Sequence, residues 1–341
     1  MSTRRTSLAA VMAMAFLLAA VTAGVLVGPA GLGAGDVVLA FVAKLPLLGV
    51  HSPLGETQST IVFDLRLPRV VLGALVGATL AVAGGAYQGV FRNPLADPYL
   101  LGISAGAGLA ATAVIAYGPA GASTSMLLPA AAFAGGAGSV LVTYLVARAG
   151  GTGTTSLILA GVTVAAFLTA IETFLQQQRS ETVRDVYSWL LGQLETSGWR
   201  DVWIVLPYAL LAGAVIVAHR RLLDVMRLGD EEAAALGVDV ARVRAAVVIA
   251  ATLGTAAAVA VSGLIGFVGI IVPHAIRLLV GGAYRVVLPL SIVVGAGFMV
   301  FADLLARTIL SPAELPIGVI TAFFGAPFFA VVLRTTRLVG P

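Results

Sequence analysis

Apolar stretches of about 20 residues recur along the whole chain and are separated by short polar connectors. A helix that crosses the roughly 30 Å apolar core of a bilayer needs about 20 such residues. With polar residues, prolines and glycines taken as boundaries, the pattern predicts an all-α fold with about ten membrane-spanning helices. They are placed near residues 8–27, 70–90, 99–117, 126–147, 155–174, 202–218, 243–261, 264–280, 286–305 and 317–333.

Two apolar stretches require a decision about where a helix begins or ends. The stretch from Ala245 to Val280 would measure roughly 54 Å as one helix, so we expect a break near Ser262 and Gly263. The first stretch, 8–27, follows Arg4 and Arg5 and is interpreted as a retained helix. A signal peptide is the alternative, but the stretch is long for one and no A-x-A cleavage site follows.

The composition agrees with a chain that has the bilayer as its solvent. Of 341 residues, 59% are hydrophobic and 11% are charged, and the mean hydropathy is +1.03. That leaves too little polar surface for a soluble globule, so residues 1–341 are treated as one transmembrane domain. The chain has no cysteine and only three scattered histidines, which argues against a metal site. Its basic residues fit membrane edges rather than a nucleic-acid surface.

The distribution of basic residues predicts the orientation. With ten helices both termini lie on one side, and cytoplasmic connectors carry an excess of Lys and Arg. A cytoplasmic N-terminus puts thirteen basic residues inside and seven outside, so both termini are predicted to be cytoplasmic. The seven are Lys44, Arg66, Arg69, Arg179, Arg184, Arg200 and Arg307.

Glycines follow one side of two predicted helices. They are Gly73, Gly77, Gly84, Gly85 and Gly89 in the second helix, and Gly102, Gly106 and Gly108 in the third. Small residues in this arrangement allow two helix backbones to approach closely. We therefore interpret them as packing surfaces.

Catalytic motifs are weak in this sequence. Gly102 to Gly106, with Ser104 at its centre, imitates a nucleophile elbow, and Gly33 to Asp36 imitates the GxGD of intramembrane aspartyl proteases. An elbow belongs on a strand-to-helix turn, and Ser104 falls in a predicted helix. The only lysine, Lys44, is not preceded by the glycine loop of a nucleotide-binding site, so any ATPase must be a separate subunit. The sequence therefore predicts no catalytic residue in this chain, and an ion-driven secondary transporter and an intramembrane protease are kept as alternative functions.

The polar interval of about residues 220–244 contains a short helix pattern. It runs from Leu228 to Gly237 and ends in a glycine that favours a helix C-terminus. A helical connector on the arginine-rich side fits a docking surface for a cytoplasmic partner better than it fits an ordinary short connector.

Three arginines on the predicted outer side depart from the positive-inside trend. They are Arg66, Arg69 and Arg307. An acidic extracellular partner would explain them. A local ion pair, such as Asp303 with Arg307 at i,i+4 or Asp64 with a neighbouring arginine, explains them equally well.

A series of ordered motifs resembles one family. Arg66-Leu-Pro-Arg69, Asn93-Pro-Leu-Ala-Asp-Pro98, Ser156 to Gly161, Trp189 to Gly192, Gly266 to Arg277, Glu314 to Gly318 and Phe324 to Pro327 are similar to motifs of permeases in iron-siderophore, haem and cobalamin ABC importers. The match runs from about residue 60 to the C-terminus. The resemblance implies a ten-helix subunit in a bacterial inner (plasma) membrane. Its implied partners are a second permease subunit, identical or paralogous, two ATP-binding subunits that hold ATP and Mg, and an extracytoplasmic substrate-binding protein.

The resemblance also implies roles for particular residues. Arg66, Arg69 and Arg307 would face acidic residues of the binding protein. The coupling helix that contacts the ATPase would contain Leu228, Gly229, Asp230, Glu231, Glu232, Ala235, Leu236 and Gly237, and cytoplasmic gates would contain Asn93, Leu95, Thr154 and Thr155. No cofactor or metal is expected in this chain. For the cargo, a ferric siderophore is favoured, followed by haem and then cobalamin.

Overall fold

A computed structural model describes residues 3–44, 51–151, 154–194 and 198–337. Within these residues every regular element is helical, which confirms the predicted all-α class. The α-helices are α1 Thr3–Leu26, α2 Ala34–Ala43, α3 Glu56–Thr60, α4 Leu67–Val90, α5 Ile103–Tyr117, α6 Leu127–Gly150, α7 Thr154–Gln178, α8 Val183–Leu190, α9 Trp199–Ala218, α10 Arg220–Met226, α11 Asp230–Ala235, α12 Val240–Ser262, α13 Val268–Val280, α14 Tyr284–Ala306 and α15 Ile317–Arg337. A π-helical stretch, Ile61–Arg66, joins α3 to α4.

Each of the ten predicted spans corresponds to one of these helices. Seven helical segments in the described part of the chain are long and apolar enough to cross a bilayer: Arg4–Leu26, Glu56–Val90, Leu127–Gly150, Thr155–Gln178, Trp199–Ala218, Val240–Ser262 and Tyr284–Ala306. The other three predicted spans correspond to shorter apolar helices, Ile103–Tyr117, Val268–Val280 and Ile317–Val332. The sequence pattern missed α2 and α8, which are 10 and 8 residues long.

Helix α4 lies at the centre of the bundle and has most of its residues buried, against α9, α12, α13 and α14. Its glycines make this possible. A Cβ atom at Gly77 would overlap the carbonyl of Gly295 in α14, and one at Gly84 would overlap the backbone of Gly269 in α13. Gly106 meets Gly135 of α6 in the same way. Gly77, Gly84 and Gly106 are therefore close-packing positions, as predicted, whereas Gly102 precedes α5 with φ +85° and makes no such close approach.

The long apolar stretch breaks where it was expected to. Helix α12 ends at Ser262, and Gly263 has φ +66°, a left-handed conformation that glycine adopts without strain. A Cβ there would also overlap the carbonyl of Trp189. Helix α13 begins only at Val268, so a non-helical connector separates the two helices.

Non-helical backbone lies inside the bundle and explains why two helices are short. Leu194, in the connector after α8, packs beside Gly73, and Gly269, the second residue of α13, packs beside Gly84, so these chain segments lie alongside α4. Their polar groups bond to one another. Gln193 N donates to Ser262 O at 2.8 Å and Ile317 N to Gly192 O at 3.1 Å.

Side-chain hydroxyls complete this internal network. Tyr99 Oη donates to Ile265 O at 3.0 Å. Ser139 and Thr143 donate to Gly102 O and Leu101 O at 2.8 and 3.0 Å. Irregular backbone at membrane depth is stable only where protein groups satisfy it. Helices α5, α13 and α15 begin at such connectors, and α5 and α13, with 15 and 13 residues, are shorter than a bilayer is thick.

Candidate functional site

An arginine–carboxylate cluster lies at the end of the bundle where α4 begins. Arg69 Nε donates to Asp303 Oδ1 at 2.9 Å, and its Nη1 and Nη2 donate to the two oxygens of Glu314 at 3.1 and 2.7 Å. The side chain of Arg69 is 11% exposed and that of Asp303 only 1%. Three chain segments, the first turn of α4, the end of α14 and the α14–α15 connector, are thus held together by one guanidinium.

Arg66 and Arg307 complete the cluster from its buried side. Arg66 Nη1 donates to Val25 O and Leu26 O, both at 3.3 Å, and Arg307 Nη2 donates to Gly24 O. Both arginines therefore satisfy carbonyls in the last turn of α1, where cations also interact favourably with the helix dipole. Their residues are 5% and 2% exposed.

The local ion pair considered in the sequence is present. Arg307 Nε lies 3.5 Å from Asp303 Oδ2 at i,i+4. Asp64 is exposed, and the carboxylates that the arginines meet are those of Asp303 and Glu314 instead. Contact of Arg66, Arg69 and Arg307 with a separate binding protein stays a prediction, because the structure describes only contacts within this chain.

Helix α11 lies at the opposite end of the bundle, beyond the last residue of α4. Gly229 with φ +138° and Gly237 with φ +84° bound the predicted short helix, and Gly237 N donates to Ala234 O at 2.9 Å. Leu228 and Leu236 are 64% and 65% exposed, whereas Ala233 is buried. The helix therefore packs against the bundle through one small buried residue, Ala233, and leaves Leu228 and Leu236 exposed.

Asp230 fixes the start of α11. Arg244 Nη2 donates to Asp230 Oδ2 at 2.8 Å, and Arg92 Nη2 lies 3.6 Å from Oδ1. The hydrogen bond from Arg244 lowers the pKa of Asp230, with smaller contributions from the charges of Arg244 and Arg92. Glu231, Glu232 and Ala235 are exposed beside it.

The predicted gate residues lie in the connector after α4 and at the start of α7. Asn93 Oδ1 accepts a hydrogen bond from Leu95 N at 2.9 Å and so shapes the connector after α4, in which Leu95 is 39% exposed. Thr154 is the first residue of α7, and its side chain lies outside the described residues, whereas the next residue, Thr155, is exposed. Their role as gates stays a prediction.

Comparison with known proteins decides the family. A model of the FecCD transport family matches residues 12–335, which is nearly the whole chain. The chain belongs to the FecCD transport family. Membership makes it a multi-pass membrane permease that works with ATP-binding and substrate-binding partners, and not a catalytic subunit. Nothing in these matches supports the protease or secondary-transporter alternatives.

Individual members of this family are substantially similar. The chain is 44% identical over 280 residues to the cobalamin import system permease protein BtuC of Halobacterium salinarum, with 82% of this chain and 74% of the relative covered. It is 38% identical over 283 residues to the Fe(3+) dicitrate transport system permease protein FecD of Escherichia coli, with 83% and 88% covered.

A solved structure shares the fold. It is described as an inward-facing conformation of a metal-chelate type ABC transporter, and it superimposes with a TM-score of 0.76 and 32% identity. The alignment covers 88% of this chain and 98% of the solved chain. The internal connectors and short helices described above therefore belong to an architecture already observed in a member of this class.

One buried acid lies within a helix that is long and apolar enough to span a membrane. Glu172 lies six residues from the end of α7 and is 7% exposed, and Thr112 Oγ1 donates to its Oε1 at 3.3 Å. The sequence did not predict that Glu314 is a partner of Arg69. The signal available for Glu314 was its place in a family motif, which carries no information on what it contacts.

Proposed function

We propose that this chain is the membrane-spanning half of an ATP-driven importer of a metal chelate, with a ferric siderophore favoured as cargo, followed by haem and then cobalamin. The observation that carries the proposal is the match to a transport family over residues 12–335. Helix α11 supports the proposal, because its exposed leucines form an apolar surface that a partner which hydrolyses ATP would contact.

We also propose a topology of ten spans. The seven long apolar segments, together with the further apolar helices α5, α13 and α15, support this number. An even number places both termini on one side. Arg92, Arg227, Arg244, Arg277 and Arg285 gather around the end of the bundle that carries α11. This concentration of charge supports a cytoplasmic location for that end and for the termini.

The two ends of α4 would serve two different partners. At the cytoplasmic end, α11 would contact one of two ATP-binding subunits. At the other end, the cluster of three arginines and two carboxylates has an excess of positive charge, which favours an acidic surface on the binding protein. A second permease subunit, a copy or a paralogue, would complete the pathway.

The mechanism is alternating access without covalent chemistry in this chain. Closure of the ATPases on ATP would move α11 relative to the bundle, and the two permease subunits would rock to expose the pathway to each side in turn. Such a cycle requires that ATP and cargo bind the two states with different affinity. Residues Asn93, Leu95, Thr154 and Thr155 would close the cytoplasmic end of the pathway.

The cargo cannot be assigned from similarity alone, because relatives of comparable identity are named for cobalamin and for ferric citrate. Uptake into proteoliposomes that contain this chain, its ATPase and its binding protein decides it. Ferric siderophore, haem and cobalamin are compared in parallel. We expect uptake of one of them to require ATP and both partners. Uptake that needs neither partner would overturn the importer assignment.

The coupling role of α11 is tested in the same vesicles. We expect Leu236→Gln to reduce ATP-driven uptake at least tenfold, because it removes an apolar contact to the ATPase while it changes nothing inside the bundle. Arg242→Gln is the matched control, since Arg242 is exposed in the first turn of α12 and, among the described residues, forms an ion pair with Asp239 alone. Equal uptake by both variants would remove α11 from the coupling path.

A further inference from the structure

A cavity of about 220 Å³ lies beside α11, between the end of α4, the α10–α11 connector and the α13–α14 connector. Its lining residues include Gln88, Arg92, Arg227, Arg277, Gly282 and Tyr284. Three of these are arginines, and none of the described lining residues is an acid. The cavity is therefore strongly cationic and is large enough for a group much bigger than one water.

Arg277 is a residue of this cavity that has no carboxylate partner among the described residues. Its Nη1 and Nη2 are both shielded from solvent and form no hydrogen bond of ordinary geometry there, although the guanidinium interacts with the hydroxyl of Tyr284. The guanidinium lies 5.5 Å from the centroid of the Tyr284 ring, and that of Arg227 lies 6.0 Å from the same ring. Two cations thus converge on one tyrosine. A desolvated charge without a carboxylate partner is unfavourable, so an anion that paired with it would stabilise the chain.

The carboxylate of Asp224 is already engaged. Asp224 accepts hydrogen bonds from Tyr284 N at 2.6 Å and from Arg285 N at 3.2 Å, and thereby caps the start of α14. Arg227 donates through Nη1 to Gly282 O at 2.9 Å, which holds it in place without neutralising it. Among the described residues neither Arg227 nor Arg277 forms an ion pair with a carboxylate, so an anion that enters the cavity would supply their counter-charge.

Arg92 takes an unfavourable backbone conformation at the mouth of the cavity. Its φ is +49°, in the left-handed region that a residue with a side chain rarely adopts. Strain of this kind is common at ligand sites. Because Arg92 also lies 3.6 Å from Asp230, a ligand in the cavity would share this guanidinium with the first residue of α11.

Gln88 identifies the chemistry of the ligand. Its Nε2 donates to Ala96 O at 3.2 Å and to Gly269 O at 3.0 Å, which fixes the orientation of the amide. Its Oε1 is buried and has no donor among the described residues, and the residue is 1% exposed. A suitable ligand must accept from arginines and also donate to this oxygen. A carboxylate or a sulfate has no proton to donate at neutral pH, whereas a phosphate monoester, with a second pKa of about 6, retains one in part of the population.

We propose that this cavity binds a phosphate group that carries a proton, either inorganic phosphate or the phosphomonoester headgroup of phosphatidic acid. The guanidinium of Arg277, whose terminal nitrogens are covered in the described structure, turns toward the cavity to supply two donors to the phosphate oxygens, and Arg227 and Arg92 add charge. The phosphate O–H donates to Gln88 Oε1. Binding neutralises the unpaired charge and satisfies the orphaned amide oxygen at the same time.

The test uses the full-length chain in nanodiscs of neutral phosphatidylcholine, with thermal unfolding as the readout. Phosphate, sulfate and chloride are titrated at constant ionic strength and pH 6.5, and in a second arm phosphatidic acid replaces part of the phosphatidylcholine. Arg277→Gln and Gln88→Leu are compared with Arg285→Gln, a control in which an exposed arginine beside the cavity is changed.

We expect saturable stabilisation by phosphate or by phosphatidic acid, and the arm that responds identifies the source. Apparent affinity should fall at least tenfold in Arg277→Gln and should be unchanged in Arg285→Gln. Gln88→Leu should reduce the preference for phosphate over sulfate. Without phosphate, Arg277→Gln should be at least as stable as the parent chain, because it removes an unpaired buried charge. Equal responses to phosphate, sulfate and chloride, or equal losses in Arg285→Gln, would overturn the proposal.

Discussion

The two ends of α4 solve the problem of buried arginine in opposite ways. Where the helix begins, Arg69 is nearly buried but meets two carboxylates, with its Nη2 2.8 Å from Asp303 and 2.7 Å from Glu314. Beyond its last residue, Arg277 is equally shielded at its terminal nitrogens but meets none. Arg66, beside Arg69, has no carboxylate partner either, but it donates to two carbonyls of α1, whereas the terminal nitrogens of Arg277 form no such bond among the described residues. The same residue type thus marks a structural joint at one end and a binding site at the other.

Of the variants that distinguish the two ends of α4, Arg69→Met is expected to have the largest effect on stability. This change leaves Glu314 without its arginine and Asp303 with only Arg307, so it should destabilise the chain by about 3–5 kcal/mol, as loss of one partner from a buried pair does. Thermal unfolding in detergent measures it. Arg179→Met is the control, because the Arg179–Glu181 pair is half exposed and such pairs contribute at most about 1 kcal/mol. A loss for Arg69→Met no larger than the control would contradict a structural role for the cluster.

A smaller loss of stability is expected from a change inside α4, where the helix contacts α13 through backbone rather than through charged side chains. Gly84→Ala puts a Cβ into the backbone of Gly269, and this overpacking should cost about 1–3 kcal/mol. Gly213→Ala in α9 is the matched control, since a Cβ there meets open space and alanine favours a helix. Unfolding temperatures of the two variants should move apart. If both rise, the close approach of α4 and α13 does not constrain the fold.

The sequence predicted what depends on neighbours in the chain. It indicated the ten apolar helices, the break at Gly263, the short helix α11 and the i,i+4 pair of Asp303 with Arg307, because each is a pattern within a few turns. It did not predict that Arg69 meets Glu314, 245 positions away, or that Arg66 satisfies the carbonyl of Leu26 in α1. Those contacts depend on how helices are arranged in space, which spacing along the chain does not encode.

The same distinction explains why no sequence pattern predicted the arginine-lined cavity beside α11. Its lining residues come from four separate stretches of chain, between Gln88 and Tyr284. Arginines at the cytoplasmic edge are expected from topology alone, so their number carries no signal of a site. The signal of a site is that Arg277 has no carboxylate partner among the described residues, and this can be seen only in the folded structure.

The cap of α12 should give an intermediate effect at the α11 end. Asp239 Oδ1 accepts a hydrogen bond from Arg242 N at 3.1 Å and so satisfies a donor in the first turn. Asp239→Ala should cost about 1 kcal/mol, and Asp239→Asn should cost much less because asparagine caps equally well. The comparison of these two variants by thermal unfolding separates capping from charge. Equal losses would show that the ion pair with Arg242 matters more than the cap.

The smallest expected effect is the response of α11 to pH, and its sign follows from Asp230. Arg244 lowers the pKa of this carboxyl, so its contribution to stability is fully present above the unfolded value of about 3.9 and is lost as the pH falls through the lower folded value. Because the chain has no cysteine, Leu236→Cys accepts a single environment-sensitive fluorophore. Its signal should stay constant from pH 8 to pH 5 and change only below about pH 4. In the Asp230→Asn background the altered signal should be present at every pH. A transition near pH 6 in the parent would instead implicate a group that titrates near neutrality, such as a phosphate bound in the adjacent cavity. Repeating the titration without phosphate would distinguish the two groups, since Asp230 belongs to the chain and the phosphate does not.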